Sequence, residues 1–264
     1  MQIAAALLLA ATAMFASDLA APNEMGVAWG HFHFNSKDLA ISKKFWTMLG
    51  ATPGKALGAN DVYLGKNTLI LVKQANPTSG SEATIVHHVG FKVKDLDGVL
   101  AKVSAAGFRI VQTSDVIAKN HKANVIGPDE LNVELVSDPA MDAAIASHHV
   151  HFYSASIEDT RAWYVKTFGA VAGKRDQFQA ADVPGVNLSF SQAKGAVKPT
   201  KGSAVDHIGF EVKNLEAFCK KLEASGVKFD RGFTRMPALG ISLAFFTDPF
   251  GTYIELTEGL GSAQ

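Results

Sequence analysis

The sequence predicts an α+β chain of 264 residues, built from four modules of one pattern, a strand, a helix and three more strands (βαβββ), grouped into two domains. Three observations predict it. Near the C-terminus, His207-Ile208-Gly209-Phe210 opens an apolar run, and Glu255 sits inside a later one, Ile254-Glu255-Leu256. The same pair occurs earlier as His88-Val89-Gly90-Phe91 and Val133-Glu134-Leu135, and the two gaps are close: 134 − 88 = 46 residues and 255 − 207 = 48. A second pair of strand starts, Gly30-His31-Phe32-His33-Phe34 and His148-His149-Val150-His151-Phe152, repeats over 149 − 31 = 118 residues, against 207 − 88 = 119 and 255 − 134 = 121 for the others. Self-similarity at one spacing marks a duplicated unit.

The elements follow in order. Residues 27–74 form the first module: an alternating strand from Ala28 to Phe34, then a helix opened by Asp38 and carried by Leu39, Ile41, Phe45, Trp46 and Leu49 until Gly50 stops it. Three short strands follow near 51–56, 61–64 and 68–72. Residues 85–137 repeat the order, with a strand over 86–93, a helix over 96–105 ending at Gly107, a strand over 108–112 and two more ending at Val136. The polar stretch Ala75 to Ala83 joins these modules without breaking the domain, which spans 27–138. The second domain, 148–258, holds a module over 148–192, with its helix from Glu158 to Phe168, and a last module over 206–257.

Composition bounds the function. An apolar content of 47% and a charged content of 19% fit a globular chain with a sizeable core. The formal net charge is zero, so no overall field draws the chain to nucleic acid or an anionic membrane, and a small molecule is the expected partner. Residues 1–21 are a separate block, with the apolar run Ile3 to Ala11 too short to span a bilayer and followed by small residues. They read as a secretory signal peptide, so the expected location is exported, periplasmic or secreted. The one cysteine, Cys219, excludes an intrachain disulfide and, at helical spacing with Leu215, Phe218 and Leu222, reads as a buried core residue.

Each half offers two histidines at the head of an apolar strand and a glutamate in a final one: His31, His88 and Glu134, then His149, His207 and Glu255. A carboxylate inside an apolar strand is costly without a partner, and imidazole with carboxylate suits Fe²⁺, Mn²⁺, Zn²⁺, Ni²⁺ or Co²⁺. All six are candidate metal ligands. Side chains two apart on a strand share a face, so His33 and His151 fall beside His31 and His149. They are candidate catalytic acids or bases, or hydrogen-bond partners behind the ligands. Gly90 and Gly209 hold the corresponding places in the other modules and leave room beside the metal, while His87 and His148 are expected to face away. Arg175, Arg231, Arg235 and Lys119 fall in loops that can lie near the pocket, and read first as solvated surface charge.

These residues, and above all Phe246-Thr247-Asp248-Pro249-Phe250-Gly251 through Ile254-Glu255-Leu256, make the chain resemble the vicinal oxygen chelate superfamily. That superfamily includes glyoxalase I, extradiol ring-cleavage dioxygenases, fosfomycin-resistance thiol transferases and bleomycin-binding proteins. The resemblance covers the chain beyond the leader. It implies paired modules with curled mixed sheets around a divalent metal, and a substrate that chelates the metal through two neighbouring oxygens. It also leaves two groupings of the ligands: by halves, or exchanged so that His31 joins His207 and Glu255, and His149 joins His88 and Glu134. Glyoxalase I takes a fourth ligand, a carboxylate, from the odd module, and alignment puts Ile70 and Leu188 there. Extradiol enzymes use two His and one Glu, as here, but Phe245 and Asn124 stand where their pattern has a tyrosine. Ring cleavage with dioxygen is the favoured reaction. The alternatives are a glyoxalase-like lyase or isomerase, and a non-catalytic binding protein of the bleomycin-resistance type.

Overall fold

The computed structural model describes residues 19–112 and 114–263, so the block expected to be a signal peptide, residues 1–21, lies outside them apart from its last three residues. The first module is β1 (Val27–Ser36), α1 (Leu39–Met48), β2 (Thr52–Pro53), β3 (Asn60–Gly65) and β4 (Thr68–Gln74). The second is β5 (Val86–Val93), α2 (Leu96–Ala105), β6 (Arg109–Ile110), α3 (Ser114–Asn120), β7 (Lys122–Ile126) and β8 (Asn132–Ser137). The third is β9 (Ile145–Ser154), α4 (Ile157–Phe168), β10 (Val171–Arg175), β11 (Phe178–Val183) and β12 (Val186–Gln192). The fourth is β13 (Val205–Val212), α5 (Leu215–Ala224), β14 (Phe229–Met236), β15 (Ile241–Thr247) and β16 (Tyr253–Glu258).

The capping signals act where the sequence places them. Asp38 accepts hydrogen bonds from the amides of Ala40 and Ile41 and so starts α1, and Gly169, at φ 65°, ends α4. One element departs from the expected order. Helix α3 stands between two strands of the second module, and none of its described side chains is buried, so it carries no apolar stripe for periodicity to detect. The predicted strand over 108–112 shrinks to two residues in consequence.

The strands form two mixed, open sheets of eight. One runs β14-β15-β16-β13-β1-β4-β3-β2 and the other β10-β11-β12-β9-β5-β8-β7-β6. The first module therefore shares its sheet with the fourth, through antiparallel β1 and β13, and the second shares its sheet with the third, through β5 and β9. Consecutive modules meet differently, on the helical side. Phe45 of α1 packs edge-on to Phe108 at 5.1 Å, and Trp46 packs on Phe91 at 5.5 Å. In the other half, Phe168 stacks on Phe210 at 4.2 Å, and the Tyr164 hydroxyl donates to Asp248 Oδ2 at 2.8 Å. Each half is joined by its core, and each sheet spans both halves.

The core explains the apolar strand faces. Phe32, Phe34, Trp46, Phe91, Phe152, Phe168, Phe190 and Phe210 are all essentially inaccessible and belong to one cluster. At roughly 1.5–3 kcal/mol for each large apolar side chain buried, this aromatic layer is a main source of stability. Cys219 is buried in it, as its spacing on α5 predicts. Asp248 of the Thr-Asp-Pro-Phe-Gly run shapes a turn rather than a site: it accepts from the amides of Phe250 and Thr252 as well as from Tyr164.

Candidate metal centres

Register alone brings the candidate ligands together. On three adjacent strands His31 pairs with Gly209, and Gly209 with Glu255; in the other sheet His149 pairs with Gly90, and Gly90 with Glu134. A histidine, a glycine and a glutamate thus lie in one row, and the missing side chain is what lets the imidazole lie across the row toward the carboxylate. A Cβ added at Gly209 would stand 1.9 Å from His31 Cε1, and one at Gly90 2.1 Å from His149 Cε1. The second histidine of each site lies two residues before the glycine, on the same face: His207 opposite His33, and His88 opposite His151. The ligands are therefore grouped across the halves. The grouping by halves, with His149 beside His207 and His31 beside His88, is corrected by the exchanged sheets.

In the first site, His31 Nε2 and His207 Nε2 each lie 2.9 Å from Glu255 Oε2. All three residues are buried. Asp206 Oδ2 stands 2.6 Å from His207 Nδ1, and Asp206 Oδ1 accepts from the Gly202 amide and from Asn35 Nδ2. A carboxylate behind Nδ1 keeps the proton there and turns the Nε2 lone pair inward, the arrangement that suits a metal-binding imidazole. Burial opposes a charge on His207, but hydrogen bonds with Asp206 and Glu255 outweigh it and hold its pKa up at about 9. Burial would also raise Glu255, and the bonds to His207 and His31 hold it well below the carboxylate range instead. His33 stacks on His207 with ring centroids 4.3 Å apart, and its Nε2 bonds Asn60 Oδ1 at 3.0 Å. Burial, then the neighbouring His207 charge, lowers its pKa to about 3. Over this floor opens a cavity of about 340 Å³, walled by Leu57, Leu71, Leu239, Leu243, Phe245 and Tyr253.

In the second site, His88 Nε2 lies 3.7 Å from Glu134 Oε2, and His149 Nε2 lies 4.0 Å from Glu134 Oε1. His151 offers a third nitrogen, within 4.8 Å of those of His88 and His149. Its Nε2 bonds Ser191 Oγ at 2.8 Å. Burial foremost keeps His88, His149 and His151 neutral, the last with a pKa lowered to about 3. Four buried atoms here, His88 Nε2, His149 Nε2, His151 Nδ1 and Glu134 Oε1, have no protein hydrogen-bond partner.

Both donor sets fit a divalent ion. Ligand atoms each about 2.1 Å from one ion stand roughly 3–3.5 Å from one another; the first site meets that spacing closely, and the second lies about half an ångström wide of it. Orphaned imidazole nitrogens around a buried carboxylate are what such an ion would satisfy.

The residue before every candidate histidine ligand sits at a register shift. The shifts fall at Gly30 and Asp206 in one sheet, and at His87 and His148 in the other. A bulge re-aims the side chain it carries, which corrects the expectation that His87 and His148 face away: their Nδ1 atoms lie 3.0 Å from Nδ1 of His88 and His149. Asp206 does the same for His207, while Gly30 leaves His31 Nδ1 without a partner.

Further residues depart from expectation. The same-face positions on β4 and β12 are Leu71 and Ser189, paired with His33 and His151, so these, rather than the core residues Ile70 and Leu188, stand where a fourth ligand would be. Arg175 is no solvated charge: its side chain is 12% exposed and its Nη1 lies 4.0 Å from Glu134 Oε1. Arg231 lines the first cavity, while Arg235 and Lys119 are exposed as expected. Phe245 and Asn124 pair directly with Glu255 and Glu134. Tyr253, which the sequence motif contains without assigning a role, stacks on Phe245 at 5.4 Å and faces His207.

Comparison with known proteins agrees with this fold. Residues 146–256 match the model of the Glyoxalase/Bleomycin resistance protein/Dioxygenase superfamily. Among solved structures, glyoxalase I from Zea mays is similar over 89% of this chain and 94% of its own, at 14% identity and a TM-score of 0.69. A putative dioxygenase from Bacillus subtilis covers 90% of this chain and 86% of its own, at 13% identity and a TM-score of 0.62. At these identities the likeness concerns the fold. No curated protein matches the chain in sequence.

Proposed function

We propose that this chain, whose residues 146–256 match the Glyoxalase/Bleomycin resistance protein/Dioxygenase superfamily, is throughout a member of that superfamily and a divalent-metal-dependent enzyme. Its substrate is a small molecule with two neighbouring oxygens, and its favoured reaction is ring cleavage of a catechol by dioxygen. One observation carries the reading: two imidazoles and a carboxylate meet within 2.9 Å contacts at the floor of a cavity whose wall includes Leu57, Leu239, Leu243 and Phe245, with Leu71 where a fourth ligand would stand. Three protein ligands leave coordination places for two substrate oxygens and for dioxygen. A bound divalent ion would supply Lewis acidity toward those oxygens and, as Fe²⁺ or Mn²⁺ but not Zn²⁺, a redox route to dioxygen.

The protein's own residues supply the rest. Leu57, Leu239, Leu243 and Phe245 hold an aromatic ring and keep water from it. His33 has Nε2 bonded to Asn60, and its Nδ1 is buried without a partner. Neutral throughout the physiological range, it offers a lone pair that accepts a hydrogen bond from a substrate hydroxyl and helps to orient it. Asp206 keeps His207 oriented while this happens.

Oxygen uptake by Fe²⁺-loaded protein against a panel of catechols tests the proposal, with uptake expected and both atoms of dioxygen entering the ring-opened product. No uptake with any catechol would sink ring cleavage. A lyase or isomerase reading would then lead, because His33 and Tyr253 share the cavity and proton relocation needs two such groups. We extend the proposal to export, on the apolar block at residues 1–21; a mature N-terminus still at Met1 would refute it.

A further inference from the structure

The two sites share their ligand pattern and differ systematically in their walls. Strand register gives the correspondences. Leu57 pairs with Asn60 in the first module, and Arg175 pairs with Phe178 in the third. Leu71 lies beside His33, and Ser189 beside His151. Leu243 pairs two residues beyond Glu255, with Thr257, and Lys122 pairs two residues beyond Glu134, with Val136. Phe245 faces Glu255 where Asn124 faces Glu134. Four apolar wall residues of the first site are thus replaced in the second by an arginine, a serine, a lysine and an asparagine.

The replacements act together. Ser189 Oγ accepts from Arg175 Nε at 2.7 Å, which fixes the guanidinium, and Ser189 in turn donates to Asn187 Oδ1. Arg175 Nη1 lies 4.0 Å from Glu134 Oε1 and 3.8 Å from Asp176 Oδ2, and Lys122 Nζ lies 3.8 Å from Glu134 Oε1. Arg175 Nη2 is buried and has no protein partner. The charges behind the ligands differ as well: a carboxylate, Asp206, backs His207, whereas neutral His87 and His148 back His88 and His149. Two carboxylates therefore serve the first site. The second has one buried carboxylate flanked by two cations, with Asp176 more than half exposed beyond them. Arg231 and Lys73 also line the first cavity, and neither has an ion pair with Glu255.

We propose that the second site is an anion site, taking a small ligand that carries a carboxylate. The Arg175 Nη2 donor and Lys122 hold the carboxylate beside the His88–His149–Glu134 cluster, while the first site takes an uncharged ligand. A planar guanidinium fixed at Nε and free at Nη2 is suited to a carboxylate. Lys122, with its side chain 33% exposed, marks where the site meets solvent. The inference rests on the metal reading proposed above, extended to the second cluster, but the charge selection belongs to Arg175 and Lys122 themselves.

The test uses glycolate and its uncharged amide, glycolamide, titrated calorimetrically into the Co²⁺-loaded and the metal-free protein, with cobalt content measured in parallel. Glycolate is expected to bind at about one equivalent per chain and glycolamide about tenfold more weakly or worse. Arg175→Leu, which installs the first site's residue type, is expected to lower glycolate affinity by about tenfold while leaving cobalt content unchanged. Should that variant fail to fold, Lys122→Leu at the more exposed position is expected to weaken glycolate about threefold or more. Equal binding of glycolate and glycolamide, or glycolate affinity unmoved by these substitutions, overturns the inference. If cobalt is not taken up yet the metal-free protein still selects glycolate through Arg175, the metal reading falls and the anion site stands; cobalt uptake without selection gives the reverse.

Discussion

Substituting Gly209 by alanine is expected to empty the first metal site without altering any ligand. The added Cβ would lie 1.9 Å from His31 Cε1, 2.2 Å from Nδ1 and 2.5 Å from Nε2. Non-bonded carbons rest about 3.5 Å apart or more, so the overlap with the ring is about 1.5 Å, and the imidazole must swing away by about that much. Metal–ligand distances tolerate only about 0.2 Å. His31 Nε2 would therefore leave the position 2.9 Å from Glu255 Oε2, and the site would fall to two ligands. Removing a mere hydrogen-bond partner behind a ligand costs about 10–100-fold in metal affinity, so losing the ligand should cost at least about 100-fold. Gly209 has no left-handed backbone to forbid alanine, and the chain should still fold, with some loss from crowding. Metal titration followed by elemental analysis, in a Glu134→Ala background that silences the second site, reads the effect. Unchanged affinity with one full equivalent bound would show that His31 is not a ligand.

Other outcomes follow from the same geometry. Asp206→Asn should weaken metal at the first site by about 10–100-fold and leave the second untouched, which competition with a chromophoric chelator measures. In metal-free protein His207 has a folded pKa of about 9, raised from 6.5. Its contribution to stability is then complete below about pH 6.5 and lost as pH rises through about 9. Melting temperatures of chelator-treated protein should fall across that window, and a flat profile would contradict the assignment. Tyr164→Phe removes the hydroxyl donor from buried Asp248 and should cost about 1.5–3 kcal/mol in denaturant unfolding, with metal content unchanged.

The strands and helices were legible because their apolar positions repeat at strand and helix periods and because Asp38, Gly50 and Gly107 punctuate them. Helix α3 was not, since an exposed helix leaves no apolar signature. The six metal-ligand candidates could be read from one repeated pattern, and Gly90 and Gly209 from their alignment with His151 and His33. Which histidine meets which glutamate could not, because both pairings satisfy the same pattern and the choice lies in the antiparallel joining of β1 to β13 and β5 to β9. The bulges also escaped: strict alternation sends His87 and His148 to the far face, and one extra residue in the ladder brings them back. Arg175 and Ser189 looked unremarkable apart, and only the folded sheet joins them and sets Arg175 beside Glu134.

The exchanged sheets have a consequence for how such a molecule can change over generations. A half-length chain with one odd and one even module would close the same sheets by pairing with a second copy of itself, and every substitution would then strike both of its centres at once. In the tandem chain each centre draws on residues that occur nowhere in the other. A leucine wall can be kept at one while its counterpart turns to arginine, and neither specificity taxes the other. Covalent linkage of the halves converts a symmetric pair into two independently heritable sites.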